Sequence, residues 1–229
     1  DLAERLAARV GQLLDEGRFP LVVGGDCGIL LGPTLALRRR GGHGLVFVDG
    51  HSDFQRPSDS RTGGAAGMDC AIVTGHGIAE LADVDGLAPY VREGDAWIIG
   101  NRDIDDRTAY YAPLLFETAV HVVELHALRT AGIDAALAPW RAWLAGTPVE
   151  GVWLHVDVDV LDSDRFGAVD SPQPDGLAPD ELVALLRAVL DSGRVVGMDV
   201  TIYDPTLDPT RAQAALLVDI LRQVLRGGA

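Results

Sequence analysis

Short runs of almost uniformly apolar, β-branched residues alternate along the chain with longer runs whose apolar residues recur at helical spacing. The short runs cover residues 21–23, 44–48, 96–99, 120–123, 152–156 and 195–200. Several are apolar at nearly every position, as strands buried on both faces are. The longer runs, at residues 2–14, 29–39, 134–144, 179–190 and 210–225, carry the helical period. Strand alternating with helix implies a mostly parallel sheet covered by helices on both faces, an α/β architecture. There is no internal repeat, no low-complexity tract and no long linker, so residues 1–229 are expected to form a single domain.

Composition narrows the partners. A net charge of -15 leaves no basic face for nucleic acid and disfavours an anionic membrane surface. No apolar run approaches the roughly 18 residues of a spanning helix, and residues 1–16 mix charged and apolar positions unlike a signal peptide. Two cysteines, Cys27 and Cys70, make no disulfide framework, so a reducing cytoplasm is the expected location. The chain opens on a helix without an initiator Met, which suggests a missing N-terminal piece.

The acids fall at strand ends. Asp26 follows the first strand, Asp49 closes the second, Asp157 and Asp159 lie at the end of the fifth, and Asp199 ends the last. The carboxyl ends of parallel strands share one edge, where ligands bind, so these acids would converge and repel unless a cation neutralised them. Taken singly, Asp26 and Asp199 are explained by capping of the next helix. That does not explain Asp49-Gly50-His51-Ser52-Asp53 or Asp157-Val158-Asp159. In extended backbone, positions i and i+2 point the same way; Asp49, His51 and Asp53 could then face one point, and Asp157 and Asp159 meet it from a neighbouring strand. Four carboxylates and an imidazole suit manganese or a similar divalent ion, and suffice for two ions sharing carboxylates, an arrangement that activates water. The polar, glycine-rich stretch at residues 55–67, which includes Gln55 and Thr62, is expected to line the site.

Three motifs carry a resemblance. Gly24-Gly25-Asp26-Cys27-Gly28, Asp49-Gly50-His51-Ser52-Asp53 and the run from His155 to Ser163 are similar, in order and spacing, to GGDHS, DAHxD and SxDxDxxDP. These belong to the ureohydrolase family of arginase, agmatinase and formimidoylglutamase. Gly100-Asn101-Arg102-Asp103-Ile104-Asp105 resembles that family's G-x-RD-x-D. The resemblance implies the three-layer α/β/α arginase-like fold and a metal-dependent hydrolase of a non-peptide C–N bond in a linear amidine or guanidine. It further implies two manganese ions bridged by Asp49 and Asp157, Asp53 on the first ion, His51 and Asp159 on the second, and attack by a bridging hydroxide. Asp105, Gln55 and Thr62 would contact a small-molecule substrate, and family members commonly form trimers or hexamers.

The pattern breaks in three places. Cys27 stands where the family has a histidine ligand; as a thiolate it would favour Zn2+ or Fe2+, and as a thiol it would leave the first ion weak. Ala66 stands where the family's loop carries a shuttle histidine, with His76 in Gly75-His76-Gly77 the nearest replacement. Ile202 stands where a glutamate would bind guanidinium, with Tyr203 and Asp204 as substitutes if the loop is displaced. These losses support an alternative: a catalytically silent relative with a scaffold or regulatory role. A magnesium phosphohydrolase built on Asp-x-Asp would not account for His51 or the later acid pair.

Overall fold

The computed structural model describes residues 1–60, 62–102 and 112–226. Its strands are β1 (Leu21–Val23), β2 (Gly44–Val48), β3 (Ala96–Asn101), β4 (His121–Glu124), β5 (Val152–Asp157) and β6 (Val195–Thr201). They form one sheet ordered β1-β6-β5-β2-β3-β4, and every neighbouring pair is parallel. The mostly parallel sheet expected from the sequence is thus wholly parallel among the described residues.

Alternation along the strands divides the apolar side chains between two cores. Leu45 and Phe47 of β2 pack with Ile98 and Trp153 beneath α1 (Leu2–Asp15), α2 (Leu31–Arg38) and α3 (Asp69–Val73). Val46 and Val48 face the other way, with Leu154 and Val156, toward α4 (Ala138–Gly146), α5 (Pro179–Leu190) and α6 (Ala212–Leu225). All five residues of β2 are buried. Water is excluded from both faces, giving the helix–sheet–helix sandwich.

Two helices are shorter than the periodicity predicts. The segment from residue 29 begins as a 3-10 turn, Cys27–Leu30, before α2. The run at 134–144 breaks at Leu137 into Ile133–Ala136 and α4, whose first turn holds Pro139, a residue without the N–H that a continuous helix would need there.

The sheet order also fixes where a ligand can sit. The chain leaves β2 toward β3 and β4, then returns to lay β5 against the other side of β2. The crevice beyond the carboxyl ends of β2 and β5 is therefore a topological switch point, the place where open α/β sheets bind ligands.

Candidate metal centre

Asp49 follows the last residue of β2, and Asp157 is the last residue of β5. The strands pair in parallel register, Val48 beside Val156, which sets the two acids side by side at the switch point. Both are buried, as is Asp159.

The local geometry corrects the expectation of extended backbone. Asp49 Oδ1 accepts the N–H of His51 at 2.6 Å, and Asp157 Oδ1 accepts that of Asp159 at 2.7 Å. Residues 158–160 form a 3-10 turn, and Asp53 has φ 44. Each acid caps the turn that follows it. His51 and Asp159 reach the centre because the chain bends there, not because a strand continues. His51 Nδ1 then lies 3.0 Å from Asp159 Oδ2 and 3.6 Å from Asp49 Oδ1.

Among the described residues, three overlapping sets of ligand atoms result, each with all its atoms within 4.8 Å of one another, and two of them hold the residues expected from the sequence. One comprises Cys27, Asp49, Asp53 and Asp157; the other Asp49, His51 and Asp159. Asp49 belongs to both.

Without a cation this cluster is electrostatically costly. Burial, then the Asp159 charge, raises the Asp49 carboxyl to about 6. Asp53 and Asp157 are pushed well above the ordinary carboxylate range, first by burial and then by neighbouring acids. Burial pulls the His51 imidazole down, but hydrogen bonds to Asp159 and Asp49 outweigh it and push it up to about 12. Burial and Asp157 hold Cys27 as a thiol, which donates to Asp157 Oδ2 at 2.8 Å and lies 3.1 Å from Thr201 Oγ1. Asp49 Oδ2 and Asp159 Oδ1 are buried without a hydrogen-bond partner. Unpartnered carboxylate oxygens inside a protein cost several kcal/mol unless a cation meets them. The donor set and these orphaned oxygens fit divalent ions.

A cleft of about 190 Å³ opens over the cluster. Gln55 and Thr62 line it, as do Ala66, Gly67 and Ile202. Asp105 lies outside the described residues. Asp26 is exposed and caps the turn at Cys27, its carboxylate accepting from Gly28.

Four placements depart from expectation. His76 does not reach the cleft: it pairs with Glu93 at 2.7 Å, in the turn that leads into the amino end of β3, and its ring packs on buried Phe54. Asp204 caps the turn at Thr206, and Tyr203 donates to Asp208, so neither substitutes for a charge at Ile202. Asp199 caps no helix; it lies inside β6, fully buried, bonded to His155 and Trp153.

Sequence reasoning missed three acidic or basic groups here. Asp69, at the start of α3, is fully buried and pushed well up by burial and by Asp49. Asp170 lines the cleft while remaining exposed. His155 is buried two positions before Asp157, on the same face of β5. Only His155 carried a visible signal, a histidine at the serine position of the third motif.

Known proteins share this architecture. The arginase-family model matches residues 1–226. The arginase of Bacillus subtilis (strain 168) is 27% identical over 224 residues, covering 97% of this chain and 74% of that protein. The crystal structure of arginase from Bacillus subtilis superposes with a TM-score of 0.88 at 25% identity, over 97% of this chain and 77% of that one. Formimidoylglutamase from Bacillus subtilis subsp. subtilis str. 168 shares the fold, with a TM-score of 0.78 at 19% identity over 98% and 66% of the two chains.

Proposed function

Because the chain belongs to the arginase family, we propose that it is a metal-dependent hydrolase of a non-peptide C–N bond in a linear amidine or guanidine. The observation that carries this reading is the pair of ligand sets joined at Asp49, since two ions sharing a carboxylate need donors in that overlap. Cys27, Asp53 and Asp157 would hold the first ion together with Asp49, and His51 and Asp159 the second; the family resemblance would make Asp157 a further shared carboxylate. When bound, such ions supply Lewis acidity and a water acidic enough to be a nucleophile at neutral pH.

The chain's own groups do the rest. Arg102 donates to the backbone carbonyls of Asp159 and Val160 and to Gln173, holding the turn that presents Asp159. Asp53, on the cleft wall, takes up a proton and returns it to the leaving nitrogen. Gln55 and Thr62 orient the substrate. Asp170, exposed and outside both ligand sets, pairs with a cationic end of it. Ile202 replaces a charge by an apolar wall, so a buried guanidinium loses its partner there; arginine and agmatine are poor candidates, and a smaller or less strongly cationic amidine is favoured. We further propose one domain over residues 1–229, self-association as in the family, and a cytoplasmic location.

The test is release of ammonia or urea from a panel of amidines and guanidines by protein loaded in turn with manganese and zinc. Turnover by the parent and none by Asp157→Ala supports the reading. No release from any member by a metal-replete parent sinks it. Ala66 and Ile202 on the cleft wall, where a shuttle and a guanidinium partner would be expected, favour the second reading, a silent relative that binds metal without turnover.

A further inference from the structure

The first ligand set lacks an imidazole, yet a buried imidazole stands directly behind it. His155 is fully buried in β5 and stacks on Phe47, ring centroids 4.4 Å apart. Its Nδ1 lies 2.5 Å from Asp199 Oδ2, and Asp199 is held from its other oxygen by the indole N–H of Trp153. Both Asp199 oxygens are thus engaged as acceptors, which makes His155 Nδ1 the donor, and in the neutral ring the lone pair is then on Nε2. That Nε2 is buried and has no hydrogen-bond partner. A carboxylate behind one ring nitrogen and an open lone pair on the other is the arrangement of metal-binding histidines, in which the carboxylate orients the ring and raises its basicity.

The open nitrogen has suitable company. Ligand atoms of Cys27, Asp49 and His155 lie within 4.8 Å of one another, and all three residues are buried. Cys27 and Asp49 are also members of the first ion's set, whereas His51 and Asp159 are not. Asp49 Oδ2 is a second orphaned atom in the same small group. We propose that His155 ligates the ion beside Cys27, supplying through Nε2 the imidazole that position 27 no longer provides. Binding displaces the thiol proton of Cys27 to solvent, and the ion gains a sulfur, nitrogen and oxygen environment. Such a set selects zinc or ferrous iron over manganese.

This inference rests on the metal-site reading above and goes beyond it. X-ray absorption of protein carrying stoichiometric zinc reads the ligands directly, comparing the parent with His51→Gln, His155→Gln and Asp199→Asn. The expected result is sulfur and imidazole scattering that survives His51→Gln, and imidazole scattering that is lost or halved in His155→Gln. Zinc affinity, measured by competition with a chromophoric chelator, should fall at least 100-fold in His155→Gln and about 10–100-fold in Asp199→Asn. A role in packing alone would lower the melting temperature and leave ligand count and affinity unchanged. If His155→Gln does not fold, the His51→Gln measurement decides by itself. Loss of all imidazole scattering in His51→Gln overturns the proposal while sparing the metal site. Absence of bound zinc from the parent overturns both.

Discussion

The thiol of Cys27 donates a hydrogen bond to Asp157 Oδ2 across 2.8 Å, joining residues 130 positions apart in the chain. An ion entering beside Cys27 must break this bond and remove the thiol proton, which burial and the Asp157 charge hold in place. Zinc uptake should therefore release protons, seen by calorimetry as a dependence of the heat on buffer ionisation enthalpy. Cys27→His should release fewer and shift the preference toward manganese by roughly 10-fold or more. Unchanged proton release and selectivity would mean that Cys27 stays a bystander.

Asp157→Asn should separate the two roles of this carboxylate. In metal-free protein it removes a buried acid pushed well above its normal range, so the apo melting temperature should rise, by about 1 kcal/mol in stability. Manganese or zinc should then fail to stabilise the variant. A thermal-shift titration reads both effects, and a variant that still responds to micromolar metal contradicts the assigned ligand.

Metal-free protein should lose stability as pH rises. Asp49 titrates near 3.8 when unfolded and at about 6 when folded, so between those values the folded chain holds more protons and each step up in pH disfavours it. Asp53 and Asp157 act in the same direction. The His51 contribution is complete below 6.5 and fades as pH climbs toward about 12, again the same sign. Thermal melts in chelator from pH 4 to 7 should fall by roughly 5–10 °C, and saturating divalent ion should flatten or reverse the slope. A chelated protein that gains stability over this range would refute the buried-acid account.

Ile202→Glu should return a guanidinium partner to the cleft. Ile202 has φ 72 and its N–H is held by Gly25 O at 3.0 Å, a backbone that β-branched residues tolerate poorly, at a cost of about 1–3 kcal/mol. The unbranched glutamate should relieve part of that strain. In the metal-loaded variant, affinity for arginine or agmatine should increase 10-fold or more, measured as KM or by ligand-induced thermal shift. No change would place the guanidinium elsewhere.

The fold was largely legible because it depends on patterns that a parallel sheet makes obligatory. The apolar run at residues 44–48 is β2 with both faces buried, and Asp49 and Asp157 are side by side because strand register puts them there. The turns were not legible: nothing in Asp157-Val158-Asp159 announces that a side chain will cap the next N–H. Asp199 read as a cap because its true partners, His155 and Trp153, lie 44 and 46 positions away. His76, between two glycines, read as the nearest replacement for a shuttle histidine, yet its position is set by Glu93, a contact invisible in a linear reading. Gly50 has a reason that only the structure supplies, since a Cβ there would sit 2.7 Å from an Arg102 guanidinium nitrogen.

The position of β5 between β2 and β6 has a consequence for the order of events on the ribosome. Asp49, His51 and Asp53 are translated about a hundred residues before Asp157, and β5 joins β2 while its other neighbour, β6, still follows in the chain. Until it does, a nascent chain presents Cys27, Asp49, His51 and Asp53 without Asp157 and Asp159. Tight capture of an ion that needs Asp157 and Asp159 would thereby wait until β5 has been made, so that such an ion would act as a latch on paired strands and not as a template for β2.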